Sequence, residues 1–235
     1  MCDVLDGARF ERRSDLIVGL CPTIPLPQFN GPWVVEDTRT AVAALASAVA
    51  EVEAAGVRAW VQTRSGHGRT QHAAVELGLT HVERIPGMVM LPEDLVEAHA
   101  DIEIALVGDA DVEEANMVLV RSFGGPPDVF DQMARAAGRA EEMSWYVARS
   151  GGAIVSTGLG FTMDGVTGVF DVATPPELRG RGYGAAVTSQ IVRDGFDGGS
   201  ELAFLQSSEL GRTVYRRLGF REVEDYVLLT RPFGE

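Results

Sequence analysis

A glycine-rich turn between a strand and a helix is the feature that most constrains the fold of this chain. Residues 168–174 favour extended backbone, because most of them are β-branched or aromatic. Pro175 and Pro176 end the strand, since proline offers no N–H group to a sheet. Residues 179–184 then read Arg-Gly-Arg-Gly-Tyr-Gly, and a helical run over residues 185–196 follows directly.

Such a turn predicts an anion-binding site. A glycine-rich turn that enters a helix aims several backbone N–H groups at one point, and the helix dipole adds partial positive charge there. Arg179 and Arg181 add full charges. The pattern therefore predicts a site for a phosphate group, and a pyrophosphate fits it best. The alternative is a loop that only turns the chain.

Two families of nucleotide-binding proteins have a loop of this kind. Gly180-x-Gly182-x-x-Ala185 is similar to the dinucleotide fingerprint of a Rossmann unit. Arg179-x-x-Gly182-x-Gly184 resembles the acetyl-CoA loop of the GNAT N-acetyltransferases. A Rossmann fingerprint is usually followed by several β-α units, and too little chain follows here to build them.

The residues after the loop resemble the rest of a GNAT domain. A strand is predicted over residues 202–206 and a helix over residues 208–218, before a last strand. Residues 215–220 read Tyr-Arg-Arg-Leu-Gly-Phe, which is similar to the family's Tyr-x-x-Leu-Gly-Phe motif. The two motifs in this order favour the GNAT interpretation over the Rossmann interpretation.

The resemblance implies a fold and an activity. The fold is of the α/β (α+β) class, with a mixed and mostly antiparallel sheet flanked by helices. The fourth and fifth strands of the family splay apart, and CoA lies in the gap. The implied activity is N-acetyl transfer, in which a primary amine of a small molecule attacks the thioester of acetyl-CoA directly. A non-catalytic acyl-CoA-binding or regulatory module is the alternative, and a dinucleotide-dependent oxidoreductase is a third.

The resemblance also implies which residues hold acetyl-CoA. The backbone of one group pairs with the pantetheine arm: Val172, Ala173 and Thr174. The backbone N–H groups of another bind the pyrophosphate: Arg179, Gly180, Arg181, Gly182, Tyr183 and Gly184. Ser208 stands where the family often has an Asn that contacts pantetheine.

Tyr215 is the expected general acid, because the family's tyrosine at this place protonates the CoA sulfur. A phenol with an ordinary pKa of about 10 stays protonated at neutral pH. The alternative is a tyrosine whose ring only packs in the core.

The general base is less clear, since Gly168 occupies the position where many relatives carry Glu or His. Asp171 is the one carboxylate in this strand. Strand alternation puts it on the opposite face from Gly168 unless a bulge intervenes. Asp171 is therefore a candidate base, but it could equally accept backbone N–H groups and hold the loop. A chain of water molecules could deprotonate the amine instead.

The first half of the chain looks like a weaker copy of the second. Residues 58–70 can be laid on residues 201–213 without a gap, and both segments end in Gly-Arg-Thr. The first copy lacks the glycine loop, because residues 35–40 contain no glycine and two acids. We therefore expect a degenerate GNAT-like domain without a CoA loop over residues 1–97 and a GNAT acetyltransferase domain over residues 102–235.

Two helices are expected at the start of the second domain. They are predicted over residues 109–123 and, after a Gly-Gly-Pro-Pro break, over residues 128–137, with Asp128 as the cap. In GNAT folds this helix pair borders the cleft for the acyl acceptor.

Composition and charge exclude several partners. The net charge of −14 argues against nucleic acid, whose phosphates need a basic face, and permits a cationic amine. No run is long and apolar enough to span a membrane. The acidic start lacks a signal-peptide pattern, and Cys2 and Cys21 read as free thiols, so a cytoplasmic protein is expected. His67 and His72 do not share a helix face, and no metal site is predicted. A homodimer is possible.

Overall fold

The computed structural model describes residues 7–233, so Cys2 and the acidic start lie outside the described residues. The chain forms two compact units. The N-terminal unit contains the residues up to Pro86 together with those from Glu224 onward, and the C-terminal unit runs from Gly87 to Val223.

The N-terminal unit is a sheet with two helices. Its strands are β1 (Arg9–Arg13), β2 (Leu16–Leu20), β3 (Gly31–Val34), β4 (Val61–Arg64) and the end of β11 (Arg221–Thr230), in the order β1-β2-β3-β4-β11. Only β3 and β4 pair in parallel. The helices are α1 (Arg39–Ala54) and α2 (Gly68–Glu76). Fully buried side chains of β2, α1, β4 and β11 form its core, among them Leu16, Leu45, Val52, Val61 and Leu229.

The C-terminal unit is a larger mixed sheet with helices. Its strands are the end of β5 (His81–Met90), β6 (Glu103–Leu106), β7 (Met143–Ser150), β8 (Ala153–Met163), β9 (Val166–Ala173) and β10 (Leu202–Gln206). Their order is β5-β10-β9-β8-β7-β6, and only β9 and β10 are parallel. The helices are α3 (Val112–Phe123), α4 (Pro127–Ala137), α5 (Tyr183–Asp197) and α6 (Glu209–Arg217).

Helices pack on both faces of this sheet. α5 shares a core with Tyr146 and Ala148 of β7, whereas α3 and α4 share a separate core with Val147 between them. Because neighbouring residues of a strand point to opposite faces, α5 lies on one face and the α3–α4 pair on the other. Close approach of α5 depends on glycine, since a Cβ at Gly158 would lie 2.7 Å from Val187 of the helix.

The predicted fold class is confirmed, since both units are mixed, mostly antiparallel sheets flanked by helices. The predicted strand over residues 202–206 has the bounds of β10. One local detail differs. The helix expected to be capped by Asp128 begins one residue earlier at Pro127, because proline fits the first helical position, where its missing N–H is not needed.

The two units do not follow the predicted domain boundaries at residues 97 and 102. Met88 and Met90 of β5 pair antiparallel with Leu205 and Ala203 of β10 in the C-terminal unit. In return, Leu229 of β11 pairs with β4 in the N-terminal unit. Each half of the sequence therefore contributes its last strand to the other unit.

The element order of the predicted repeat recurs. In both copies a parallel β-α-β unit leads into a second helix and a strand, as β3-α1-β4-α2-β5 and as β9-α5-β10-α6-β11. The gapless alignment is wrong in detail, because Gly68 is the first residue of α2 whereas Gly211 is the third residue of α6. The shared Gly-Arg-Thr therefore does not mark equivalent positions.

Candidate active site

The glycine loop forms a cradle of free N–H groups at the start of α5. Gly180 and Gly182 have φ angles of 78° and 82°, the left-handed region that favours glycine. The first helical hydrogen bond runs from the Ala186 N–H to the Gly182 carbonyl at 3.0 Å. In the described part of the chain, no group accepts a hydrogen bond from the N–H groups of residues 180–185. They are therefore unpaired donors at a helix N-terminus, the arrangement in which backbone N–H groups can hold an anion.

Glycine also keeps the cradle accessible. A Cβ at Gly180 would meet no atom within 4 Å, and one at Gly182 would meet only Ala100 at 4.0 Å. A Cβ at Gly184 would lie 3.3 Å from the Thr174 hydroxyl oxygen, so this glycine lets the helix approach the end of β9. Space for an anion is thus present at the first two positions.

The arginines of the loop make contacts of their own. Arg179 donates from Nε to the Thr174 carbonyl at 3.0 Å and from a terminal nitrogen to the Ser122 carbonyl at 3.3 Å, so it braces the loop against β9 and α3. Hydrogen bonds from Ser150 and then Arg181 lower the pKa of the Tyr183 hydroxyl. Both arginines are exposed and add positive charge beside the cradle.

A cleft of about 380 Å³ lies beside the loop, between α3 and the β7–β8 hairpin. Its lining includes Glu114, Met117, Arg121, Leu178, Arg181 and Tyr183. The α3 residues were missed from the sequence, since on an amphipathic helix they occupy ordinary solvent positions. Only their approach to the loop in space brings them to the site.

The parallel pair β9–β10 separates beside the cradle. Their pairing runs from Val166 opposite Leu202 to Val169 opposite Leu205 and then stops. β9 continues to Ala173, where its other edge still pairs with Thr157 of β8. The last residues of β9 thus have no strand on the β10 side in the described part of the sheet, which leaves a gap between the two strands.

A bulge places Asp171 at this gap. Thr157 of β8 is paired with Ala173 of β9, and Leu159 with Phe170. One residue separates the two positions on β8 and two separate them on β9, so β9 carries one extra residue. Asp171 is that residue and has a φ of 49°, which is rare outside glycine. The bulge moves Val172 to the α5 face, where a Cβ at Gly158 would lie 3.5 Å from it.

The carboxyl group of Asp171 makes no hydrogen bond or ion pair with a described residue. The expectation that it holds the loop by accepting backbone N–H groups is therefore wrong. Burial alone raises the pKa of Asp171 to about 6. A carboxyl group with this pKa can accept a proton near neutral pH, so Asp171 stays a candidate base.

Gly168 stands under two aromatic rings. A Cβ there would lie 2.5 Å from Phe170 and 2.8 Å from Phe204, whose rings meet edge to face at 5.6 Å. A longer side chain at this position would displace both rings. The position where relatives carry a base therefore has a packing role in this chain.

Tyr215 lies on α6, which follows β10, and Ser208 is the N-cap of that helix. The Tyr215 ring packs edge to face on Phe220 at 6.0 Å, and burial raises the pKa of its hydroxyl to about 12. That hydroxyl has no hydrogen-bond partner among residues 7–233. Ser208 caps α6, since its side chain accepts from the Gly211 N–H at 3.2 Å. Val172, Tyr183 and Tyr215 pack around one hydrophobic cluster, which links strand end, loop and helix.

The sequence profile of the family described as "Acetyltransferase (GNAT) domain" matches residues 103–223, more than half of the 235 residues. The chain belongs to the GNAT acetyltransferase family. This assignment and the mixed sheet exclude the Rossmann alternative. GNAT domains carry out acetyl transfer from acyl-CoA, and the loop, the gap and α6 lie in the matched segment.

Solved structures share the fold over nearly the whole length of this GNAT chain. A GCN5-related N-acetyltransferase from Kribbella flavida has 23% identity and a TM-score of 0.74, over 97% of this chain and 90% of that one. One from Sphaerobacter thermophilus has 19% identity and a TM-score of 0.67, over 97% and 78%. A conserved protein of unknown function from Staphylococcus epidermidis has 13% identity and a TM-score of 0.68, over 97% and 94%. Comparison with curated protein sequences gives no match.

In the N-terminal unit of this GNAT chain, an acid from the segment before α1 lies at the start of the second helix, α2. The carboxylate of Asp37 lies at the start of α2 and accepts hydrogen bonds from the N–H groups of Arg69 and Thr70, at 3.1 and 2.9 Å. Against the effect of burial, these bonds lower the pKa of Asp37. The chain's own carboxylate therefore fills this helix N-terminus.

Residues 7–233 contain neither a cluster of metal ligands nor a helix that could span a membrane. Their His, Cys, Asp and Glu side chains form no group of three or more that could hold a metal ion. None of their helices combines the length and hydrophobicity needed to cross a bilayer.

Proposed function

We propose that this GNAT acetyltransferase transfers the acetyl group of acetyl-CoA to a primary amine of a small molecule. The observation that carries the proposal is the row of unpaired N–H groups over residues 180–185, beside the gap between β9 and β10. A diphosphate suits the row of N–H groups, and an extended arm that carries amide groups suits the gap.

The residues present fit acetyl-CoA in its parts. The N–H groups of residues 180–184, with the charges of Arg179 and Arg181, would hold the pyrophosphate. The backbone of Val172, Ala173 and Thr174 would pair with the pantetheine arm along the open edge of β9. Ser208 still has its hydroxyl hydrogen to donate, because in the cap its oxygen acts as acceptor.

The reaction forms one bond and breaks one. The nitrogen of the neutral amine bonds to the acetyl carbon, the carbon–sulfur bond breaks, and the products are an amide and CoASH. Asp171 would take the proton that the amine loses, because its pKa of about 6 allows it to be ionised at neutral pH. Tyr215 would protonate the departing sulfur, since a pKa of about 12 keeps its hydroxyl protonated.

The direct experiment follows CoASH release from acetyl-CoA with a panel of primary amines. Tyr215→Phe should lower kcat by about 10²- to 10⁴-fold, the usual contribution of a general acid or base, and leave acetyl-CoA affinity unchanged. Tyr226→Phe is the matched control, because Tyr226 is also a partly buried tyrosine with a raised pKa, but it lies on β11 in the N-terminal unit. Equal activity of both variants would contradict the role of Tyr215.

A non-catalytic acyl-CoA-binding module is the second candidate. The observation that favours it is Gly168, which brings no acid–base side chain to the usual position of the base. Tight acetyl-CoA binding with no CoASH release for any amine would support this candidate and contradict the enzyme.

The N-terminal unit has a proposed role as well. We infer that it is a degenerate GNAT-like half without a CoA site, because residues 35–40 before α1, the counterpart of α5, contain no glycine, and the Thr38 side chain caps that helix by accepting from the Ala41 N–H. The cytoplasmic location and the homodimer stay predictions from the sequence.

A further inference from the structure

One face of the C-terminal sheet carries a row of apolar side chains. Met143 faces Phe161, and Phe161 faces Gly168. Trp145 of β7 is paired with Leu159 of β8, which is paired in turn with Phe170 of β9. Gly168 of β9 is paired with Phe204 of β10 across the parallel pair. Directly opposed residues of neighbouring strands point to the same side of a sheet. We call this set the aromatic face: Met143, Trp145, Leu159, Phe161, Phe170 and Phe204.

The aromatic face is only partly covered. All six side chains are partly exposed. Of the six, only Trp145 packs against the core that α3 and α4 form at one end of the face. The other five belong to none of the hydrophobic clusters of the described chain. A contiguous apolar row of this kind is typical of a binding surface.

The face meets the gap at Gly168. The rings of Phe170 and Phe204 come together over this glycine, and pairing of β9 with β10 ends one residue further along each strand. α5, which carries the N–H cradle, packs on the opposite face. A pantetheine arm held by the cradle and the gap would therefore bring its thioester toward the aromatic face.

The bulge that follows Phe170 carries an acidic residue. Asp171 directly follows Phe170 in the bulge and has no ion-pair or hydrogen-bond partner in residues 7–233. An unpaired acid next to aromatic rings matches a ligand with one amino group and an apolar body.

We infer that the acyl acceptor is a primary amine carried on an apolar body about the size of a phenyl ring. The body lies on the aromatic face, and the amino group points toward Asp171. This inference rests on the proposed function, and it names the substrate class of that same site.

The test compares two primary amines that differ in their bodies, 2-phenylethylamine and ethanolamine, as acceptors at saturating acetyl-CoA. Burial of a phenyl ring contributes roughly 1.5–3 kcal/mol, so kcat/KM should favour 2-phenylethylamine by about tenfold to a hundredfold. Phe170→Ala and Phe204→Ala should each reduce this preference by about tenfold. Phe233→Ala, a partly exposed phenylalanine of the N-terminal unit, should leave the preference unchanged.

The outcomes separate this inference from the proposed function. An ethanolamine rate equal to or above that of 2-phenylethylamine in the wild type overturns the inference, while the acetyltransferase stands. A preference that survives both phenylalanine substitutions overturns it too. If no amine releases CoASH although acetyl-CoA binds, the proposed function fails first and the inference fails with it. The wild-type comparison decides even if the alanine variants do not fold.

Discussion

At the scale of single residues, Asp171 combines two unfavourable features, a left-handed backbone and a buried carboxyl group without partners. Each costs free energy of folding, and such residues concentrate where a site needs them. Burial raises the pKa of Asp171 from 3.8 to about 6. Between these values the folded protein binds the proton more tightly than the unfolded chain does. This group therefore lowers stability as the pH rises from about 4 to 6.

Asp171→Asn should make the protein more stable at pH 7.5 but inactive or nearly so. Asn tolerates the left-handed backbone and carries no charge to bury. The free energy of unfolding in urea should rise by up to about 3 kcal/mol at pH 7.5, from about 1.4 kcal/mol per pKa unit, and by much less at pH 4. Equal gains at both pH values would show that the charge of Asp171 is not the cause.

The activity of the wild type should fall with an apparent pKa near 6 as the pH is lowered, because a protonated Asp171 cannot accept a proton. The measurement is the pH profile of kcat/KM for CoASH release with a fixed amine. A profile that is flat down to pH 5 would contradict the assignment of Asp171 as the base.

At the scale of elements, the seating of α5 on the sheet depends on a missing side chain. A Cβ at Gly195 would lie 2.1 Å from the Thr167 hydroxyl oxygen, which also contacts Thr162 and Ser200 at 3.0 and 2.8 Å. Thr167 and Ser200 are buried, so the Thr167 side chain has no free space to move into. α5 can therefore keep its position, and with it the N–H cradle, only with glycine at residue 195.

Gly195→Ala should destabilise the protein by about 1–3 kcal/mol, the usual cost of overpacking, although Ala is the better helix former by about 1 kcal/mol. Gly68→Ala is the control, because Gly68 begins α2 and a Cβ there meets no atom within 4 Å. Urea unfolding should show a loss for the first variant and no loss for the second. A stabilised Gly195→Ala would contradict the packing described for α5.

The sequence predicts the elements that carry the site better than it predicts their details. The strand, the proline stop and the glycine loop before α5 are local patterns, and the structure has all three. The bulge at Asp171 and the aromatic pair over Gly168 depend on the neighbouring strands β8 and β10. Register across strands leaves no mark within the strand itself, so neither feature could be predicted from residues 168–174 alone.

At the scale of the whole molecule, the two units exchange their last strands. β11 comes directly after the Tyr-x-x-Leu-Gly-Phe motif of residues 215–220. Its last residues, among them Val227 and Leu229, nevertheless belong to the N-terminal core. β5 follows the weaker copy, yet Met88 and Met90 belong to the core around α5. The order of elements could be predicted, but not which unit each last strand joins, because both strands have the same local pattern.

Leu229→Ala should therefore weaken the N-terminal unit, although the residue stands near the end of the chain. Leu229 is 2% exposed, so a cost of about 2–5 kcal/mol is expected. Hydrogen exchange should speed up in β3 and β4 more than in β8 and β9. Val75→Ala, on an exposed position of α2, serves as the control. Loss of protection confined to β9 and β10 would contradict the strand exchange.

The measurement that tests the central claim most directly is a calorimetric titration of the protein with acetyl-CoA, repeated on two glycine variants. Gly182→Glu puts a carboxylate at the cradle, and Gly165→Glu introduces the same residue at a similar φ, 76° against 82°, in the β8–β9 turn. We predict saturable binding by the wild type and by Gly165→Glu, and none by Gly182→Glu. Failure of the wild type to bind, or equal binding by all three proteins, would contradict the assignment of the loop as the CoA site.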